Sequence, residues 1–200
     1  MERGYLADRF SWTSLGWNGL NGRARFAVRE DGGRRFHENF GGLLKSWKRQ
    51  EGYALLIGQV IGDAALAGTN ISLWYAEAAK RLREEGYDVR FRRHPLDKRM
   101  TAVNGVPDAG GSLNDAFARA SVVVTWNSNT AVESVLAGVP TVAMDQDGSM
   151  AAGVSSGTID EITPDRYGWA SDLAWKQFTM DEIATGFAWE IVRDALPLPA

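Results

Sequence analysis

Apolar and polar positions follow two different rules along this chain. Up to about residue 40 there is little periodicity and a high density of turn formers: Gly16, Asn18-Gly19, Asn21-Gly22 and Asp31-Gly32-Gly33. That density predicts loops, with a hairpin around Asp31-Gly32. From Tyr53 the pattern becomes regular. Tyr53 to Ile57 reads as a buried strand ending at Gly58-Gln59, and Ile71, Trp74, Ala78 and Leu82 recur at helical spacing up to a stop at Gly86. A second strand spans Tyr87 to Phe91 and halts at Arg93-His94-Pro95, and residues 100–111 carry enough glycine and proline to be a loop. Ser112 to Asp115 matches a helix cap, with Leu113 and Phe117 turned inward. Val122–Thr125 and Thr141–Ala143 are the third and fourth strands, and a glycine- and serine-rich loop covers 146–157. Thr179 to Glu182 is another capping box, opening a terminal helix with Ile183, Phe187 and Ile191 on one face.

Strands alternating with helices give an α/β fold with a parallel sheet and right-handed crossovers. The reading is a single Rossmann-like domain over residues 51–200, with an irregular arm over residues 1–50 packed on it. Two hundred residues with 44% apolar and 24% charged content suit one ordinary globular domain with a full core. The absence of cysteine removes disulfides, thiolate zinc sites and thiol nucleophiles. No apolar run reaches membrane-spanning length, and the amino terminus lacks a signal-peptide pattern, so the expectation is a cytoplasmic protein without a membrane partner.

Charge changes the picture in one respect. Residues 1–50 hold ten basic and five acidic side chains, net +5, whereas the remainder holds twelve and twenty, net −8. The basic segment carries Trp12, Trp17, Phe26, Phe36 and Phe40, a composition that could meet a nucleic-acid partner, but without a nucleic-acid motif it reads rather as a solvated segment paired with the acidic body.

Candidate chemistry gathers at strand ends, where open α/β sheets bind ligands. Asn127-Ser128-Asn129-Thr130 follows the third strand and opens a helix bearing Val132, Val135 and Leu136. Two hydroxyls, two amides and helix-start N–H groups suit a diphosphate; the competing role is plain N-capping, since Thr130 and Glu133 match a Thr-x-x-Glu box. Glu133 either completes that box or accepts hydrogen bonds from the two hydroxyls of a ribose. His94, held extended by Pro95, would project over the sheet edge to donate to a phosphate or protonate a leaving group. Gly58, Gln59, Gly62 and Asp63 form the first βα loop, where glycine would let backbone approach a ligand. Their spacing matches neither a Gly-x-Gly-x-x-Gly fingerprint nor a Walker A loop. Ser149-Met150-Ala151 could line the same edge, and His37, Glu30 and Asp31 are acid–base candidates by elimination. No metal-ligand cluster is evident; Asp145 and Asp147 read as turn residues, and no metal or other cofactor is expected.

The run from Thr125 to Val142, with Asn-Ser-Asn-Thr, Glu133 and Gly-Val-Pro-Thr-Val, resembles the donor-binding segment of GT-B-type glycosyltransferases. His94-Pro95 with the later Ser128/Thr130 turn is similar to the His-Pro and Ser/Thr motif pair of the capsule-polysaccharide, bacterial sialyltransferase and glycerophosphotransferase branch. The whole chain also resembles short glycosyltransferase-like proteins of bacteriophages. The resemblance covers residues 53–150 and implies the carboxy-terminal, donor-binding half of that fold. It implies that His94, Ser128, Asn129 and Thr130 hold donor phosphates, that Glu133 holds the ribose, and that Gly58 and Gln59 are the glycine-containing loop of that half. The implied activity is sugar transfer from a nucleotide-activated donor to an acceptor such as a glycan or a phage DNA base. With length for one half only, either the arm and a second subunit, as in a homodimer, complete the cleft or the chain is a fragment. The alternative is a nucleotide-sugar-binding module that does not turn the donor over. A sugar-nucleotide epimerase of related fold would need several strand-end carboxylates, which are scarce here.

Overall fold

The computed structural model describes residues 1–48, 51–99, 102–155 and 163–196. In chain order these form strands β1 (Glu2–Arg3) and β2 (Thr13–Ser14), helix α1 (Arg34–Phe40), strand β3 (Tyr53–Ile57), helix α2 (Ile71–Glu84), strand β4 (Val89–Arg92) and helix α3 (Leu113–Arg119). There follow strand β5 (Ala120–Thr125), helix α4 (Thr130–Leu136), strand β6 (Thr141–Ala143), helix α5 (Tyr167–Ala174), strand β7 (Gln177–Phe178) and helices α6 (Met180–Ala184) and α7 (Phe187–Val192). They fall into two compact units, one of Lys45–Thr163 and one of Met1–Leu44 with Pro164–Ala200.

The 45–163 unit is Rossmann-like. Its four strands run parallel in the order β4-β3-β5-β6. Ala54 and Leu56 pack on one face against Ile71, Tyr75, Ala79 and Leu82 of α2. Leu55 and Ile57 pack on the other against Ala116 and Phe117 of α3. A strand covered on both faces has no polar side to present, which is why Tyr53 to Ile57 reads as an unbroken apolar run. Ala137 and Val139, at the close of α4, belong to the α3 face. The connections leaving β3 and β5 therefore depart to opposite faces. That is the topological switch point of an open parallel sheet, where a crevice opens between the two loops.

The sequence-based bounds hold for β3 and β6, whereas β5 begins at Ala120 and β4 runs Val89–Arg92. In α2, Tyr75 and Ala79 take the deepest positions, while Trp74 and Ala78 pack beside them partly buried. The Ser112–Asp115 capping box forms as expected. The Thr130–Glu133 box does not: α4 begins at Thr130 with Asn129 as its N-cap and no side-chain cap bond, so Glu133 sits one residue too deep. Residues 100–101 of the expected 100–111 loop, and 156–157 of the 146–157 loop, lie outside the described residues.

In the second unit, β1, β2 and β7 form an antiparallel sheet. Phe178, Ala188, Ile191 and Val192 build a core with Ala27. Arg35 locks it: its guanidinium donates to both carboxylate oxygens of Glu182 at 2.6 and 2.8 Å and to the carbonyls of Ala174 and Gln177 at 2.9 Å each. The expected layout, an arm over 1–50 and one domain over 51–200, differs here, because residues from Pro164 onward share the core of the amino-terminal segment. The physical reason is strand pairing, Thr13 with Phe178 and Ser14 with Gln177. The Gln177 side chain adds to it by accepting the N–H groups of Tyr5 and Leu6 at 2.6 and 3.1 Å. Asp31-Gly32 starts a helix rather than a hairpin: the Asp31 carboxylate accepts the Gly33 and Arg35 N–H groups, and Gly33 turns the chain into α1 at φ 82°. The terminal helix is likewise interrupted, since Gly186 at φ 84° separates α6 from α7.

Candidate functional site

The register brings the strand-end residues to one level. Leu56 lies opposite Val124, Ile57 opposite Arg92 and Thr125 opposite Ala143. The loops that follow, carrying Gly58-Gln59, His94 and Asn127–Thr130, therefore all emerge at the carboxyl edge. His94 and the Ser128–Thr130 turn follow β4 and β5, the two strands that flank β3.

Gln59 and Asn127 meet across the switch point, and they spend their amides on each other. Gln59 Nε2 donates to Asn127 Oδ1 at 2.8 Å, and Gln59 Oε1 accepts the Asn127 N–H at 3.1 Å. Asn127 Nδ2 also donates to the Ala65 carbonyl at 2.7 Å and to Asp145 Oδ2 at 2.8 Å. Both residues are buried, so they stitch the β3 and β5 loops together beneath the crevice. The Gln59 N–H donates to the Tyr75 hydroxyl at 2.6 Å, fixing the loop to α2. Burial pushes the Tyr75 phenol up; the Gln59 N–H opposes that and the Asp97 charge adds to it. Gly58 is small for a neighbour's sake: a Cβ there would lie 3.0 Å from the Arg92 carbonyl, the His94 nitrogen and the Phe91 ring. Its lack of a side chain lets the chain carrying His94 pass close.

Ser128, Asn129, Thr130 and Glu133 are half-buried at the opening of α4. Thr130 and Glu133, three residues apart, share the face that the buried Ala131, Val132, Ser134 and Val135 leave outward. The helix-start N–H groups expected to cradle an anion are engaged within the turn. Thr130 N–H donates to Ser128 Oγ at 3.2 Å, Ala131 N–H to the Ser128 carbonyl, and Val132 and Glu133 N–H to the Asn129 carbonyl. The hydroxyls are the available groups. Ser128 Oγ donates to Thr130 Oγ1 at 3.2 Å, and the Thr130 hydroxyl proton meets no acceptor among the described residues. His94 is half-buried. Its Nδ1 accepts the Leu96 N–H at 3.2 Å, which requires a lone pair there and puts the proton of the neutral ring on Nε2.

Of the other sequence candidates, Ser149, Met150 and Ala151 are buried, so that segment is packing rather than lining. Asp31 caps α1, and His37 is exposed on that helix. Among the described residues no group of three His, Cys, Asp or Glu side chains is placed to hold a metal ion. Sequence reasoning passed over Asp97, Tyr75 and Trp126, which crowd the same edge. Asp97 is 3% exposed, and Trp126 packs against Trp74 with ring centroids 5.6 Å apart. An Asp within three residues of the His-Pro pair was the available signal for the first.

A parallel doubly wound sheet with its loops gathered at one edge defines the class of fold, a Rossmann-like α/β domain. Among solved structures the chain is similar to Thermosulfurimonas dismutans KpsC, beta Kdo 2,7 transferase, at 16% identity and a TM-score of 0.50, covering 82% of this chain and 62% of that one. It is also similar to Thermosulfurimonas dismutans KpsC, beta Kdo 2,4 transferase, at 17% identity and a TM-score of 0.49, covering 70% of this chain and 49% of that one. The likeness is one of fold, and the chain spans less than two thirds of the length of either neighbour. No family model matches the chain, and no curated protein does.

Proposed function

We propose that the carboxyl edge of the 45–163 unit binds a nucleotide-activated sugar, and that the chain is a glycosyltransferase acting through it. One observation carries the reading: Ser128 and Thr130 stand half-buried at the switch point, and half-buried His94 follows the strand on the other side of β3. The fold shared with the beta Kdo 2,7 transferase supports glycosyl transfer as the chemistry.

In this scheme Ser128 and Thr130 hold one side of the phosphate and the His94 Nε2–H the other. Gln59, Asn127 and Gly58 fix the loops that present them, and Glu133, on the Thr130 face of α4, accepts from the ribose hydroxyls. During transfer the bond between the sugar's anomeric carbon and the phosphate oxygen breaks, with its electron pair left on phosphate. The imidazole and hydroxyl donors stabilise that growing charge. The acceptor oxygen forms the new bond, and its proton leaves to a base outside this set of residues.

Titration calorimetry with UDP, CMP, CDP, GDP and TDP species tests the site. The expected result is binding of one nucleotide class, lost in Ser128→Ala/Thr130→Ala; no binding to any of them would remove the basis of the proposal. A donor-hydrolysis assay then separates two kinds of protein. Sugar release that vanishes in His94→Ala marks an enzyme, whereas binding without release marks a donor-binding module.

A further inference from the structure

Asp97 stands in the turn after His94 and is used by nothing described so far. Its Oδ1 accepts the Arg99 N–H at 3.1 Å and lies 3.8 Å from the Arg99 guanidinium, enough to shape the turn. Its Oδ2 is buried without a hydrogen-bond partner among the described residues. A carboxylate oxygen kept out of water and unpaired is costly, and the turn itself would be served as well by a neutral amide. The residues around it face outward, Leu96 at 73% exposure and the Arg99 side chain at 60%, so Asp97 lies one side chain below the surface.

Position and chemistry identify what would meet it. Across the carboxyl edge the order runs from α4 and β5, through β3, to β4. With a ribose at Glu133 and a phosphate between Thr130 and His94, the next group along the molecule lies over the β4 turn. That group is the sugar. An acceptor-only oxygen repels phosphate and suits a neutral hydroxyl. Asp97 is 3% exposed, so the carboxylate is not out in solvent. We infer that Asp97 recognises the transferred sugar, its Oδ2 accepting a hydrogen bond from a ring hydroxyl; this rests on the donor-site reading above.

The test compares bare and sugar-bearing nucleotides on the whole chain. Wild type and Asp97→Asn are titrated with UDP and UDP-glucose, GDP and GDP-mannose, and CMP and CMP-N-acetylneuraminate. For the pair that wild type binds, Asp97→Asn leaves the bare nucleotide within about twofold and weakens the sugar nucleotide by about tenfold or more, as expected for one hydrogen bond to a charged group. Equal loss for both members of the pair, or no loss for either, overturns the assignment. Should wild type bind none of the six, the donor site itself fails and Asp97 falls with it. Wild type titrated with singly deoxygenated sugar nucleotides gives a second measurement that does not depend on the variant folding. One deoxy position must reproduce the tenfold loss, and the absence of any such position overturns the assignment too.

Discussion

Ser128 and Thr130 hold hydroxyls that the turn uses only in part, and this separates a binding role from a capping role. If both hydroxyls reach a phosphate, Ser128→Ala/Thr130→Ala weakens nucleotide binding by about 1.5–3 kcal/mol for each bond lost. Calorimetry reads that loss, and a thermal melt of the same variant checks it. A lowered melting temperature with unchanged affinity would return both residues to turn formation. At this scale the sequence was legible where chemistry depends on near neighbours. His94 at a strand end, the Ser/Thr turn and the Ser112 cap are all local patterns. It was opaque where the partner is remote. Gln59 and Asn127 carry the right groups for a ligand, and only the fold shows that each has the other, 68 positions away, as its partner.

Elements were readable in proportion to their regularity. β3 and β6 have an unbroken apolar character, and their ends fell where glycine or proline punctuates the chain. Strands β1, β2 and β7 contain two residues each, too few to show any alternation. Helix α1 follows three residues that signal a turn, so its start was taken for a hairpin. Gly138 links α4 to β6 and shows how tightly an element junction can be drawn. It sits at φ 78°, and a Cβ there would collide with the backbone carbonyl of Ser46. The segment before β3 is fixed to that same junction, since Lys45 N–H donates to the Leu136 carbonyl at 2.8 Å and Lys48 N–H to the Gly138 carbonyl at 2.7 Å. Gly138→Ala must therefore bear a left-handed backbone and a displaced strand entry together. A destabilisation of about 2–4 kcal/mol is expected in a denaturant titration. A change below about 0.5 kcal/mol would mean that the Lys45–Lys48 segment does not pack there.

For the whole molecule, the composition step near residue 50 reads as a shift within one compact unit, whereas the chain divides at Leu44–Lys45 and returns to the first unit at Pro164. Non-local strand pairing decides it, and single-sequence periodicity carries no record of which distant strands pair. The Arg35–Glu182 pair gives that unit a pH signature. Burial opposes ionisation of Glu182, but the Arg35 guanidinium and the Thr179 N–H outweigh it, so its carboxyl ionises below the usual carboxylate range. A depressed folded-state value means stability that is fully present above the unfolded-chain value of about 4.3 and is lost as pH falls through the folded one. Acid titration followed by tryptophan fluorescence should show this loss in wild type. Glu182→Gln should be less stable at neutral pH and show a flatter acid limb; an identical acid limb would remove Glu182 from the linkage.

The β2–β7 pairing has a kinetic corollary for the nascent polypeptide. Thr13 leaves the ribosome long before its partner Phe178 exists, so the β1-β2-β7 sheet stays unfinished while the 45–163 segment is being made. Closing so long a loop as free chain is entropically slow. Prior collapse of the 45–163 unit would shorten the effective tether, so β2–β7 pairing is expected to follow the folding of that unit.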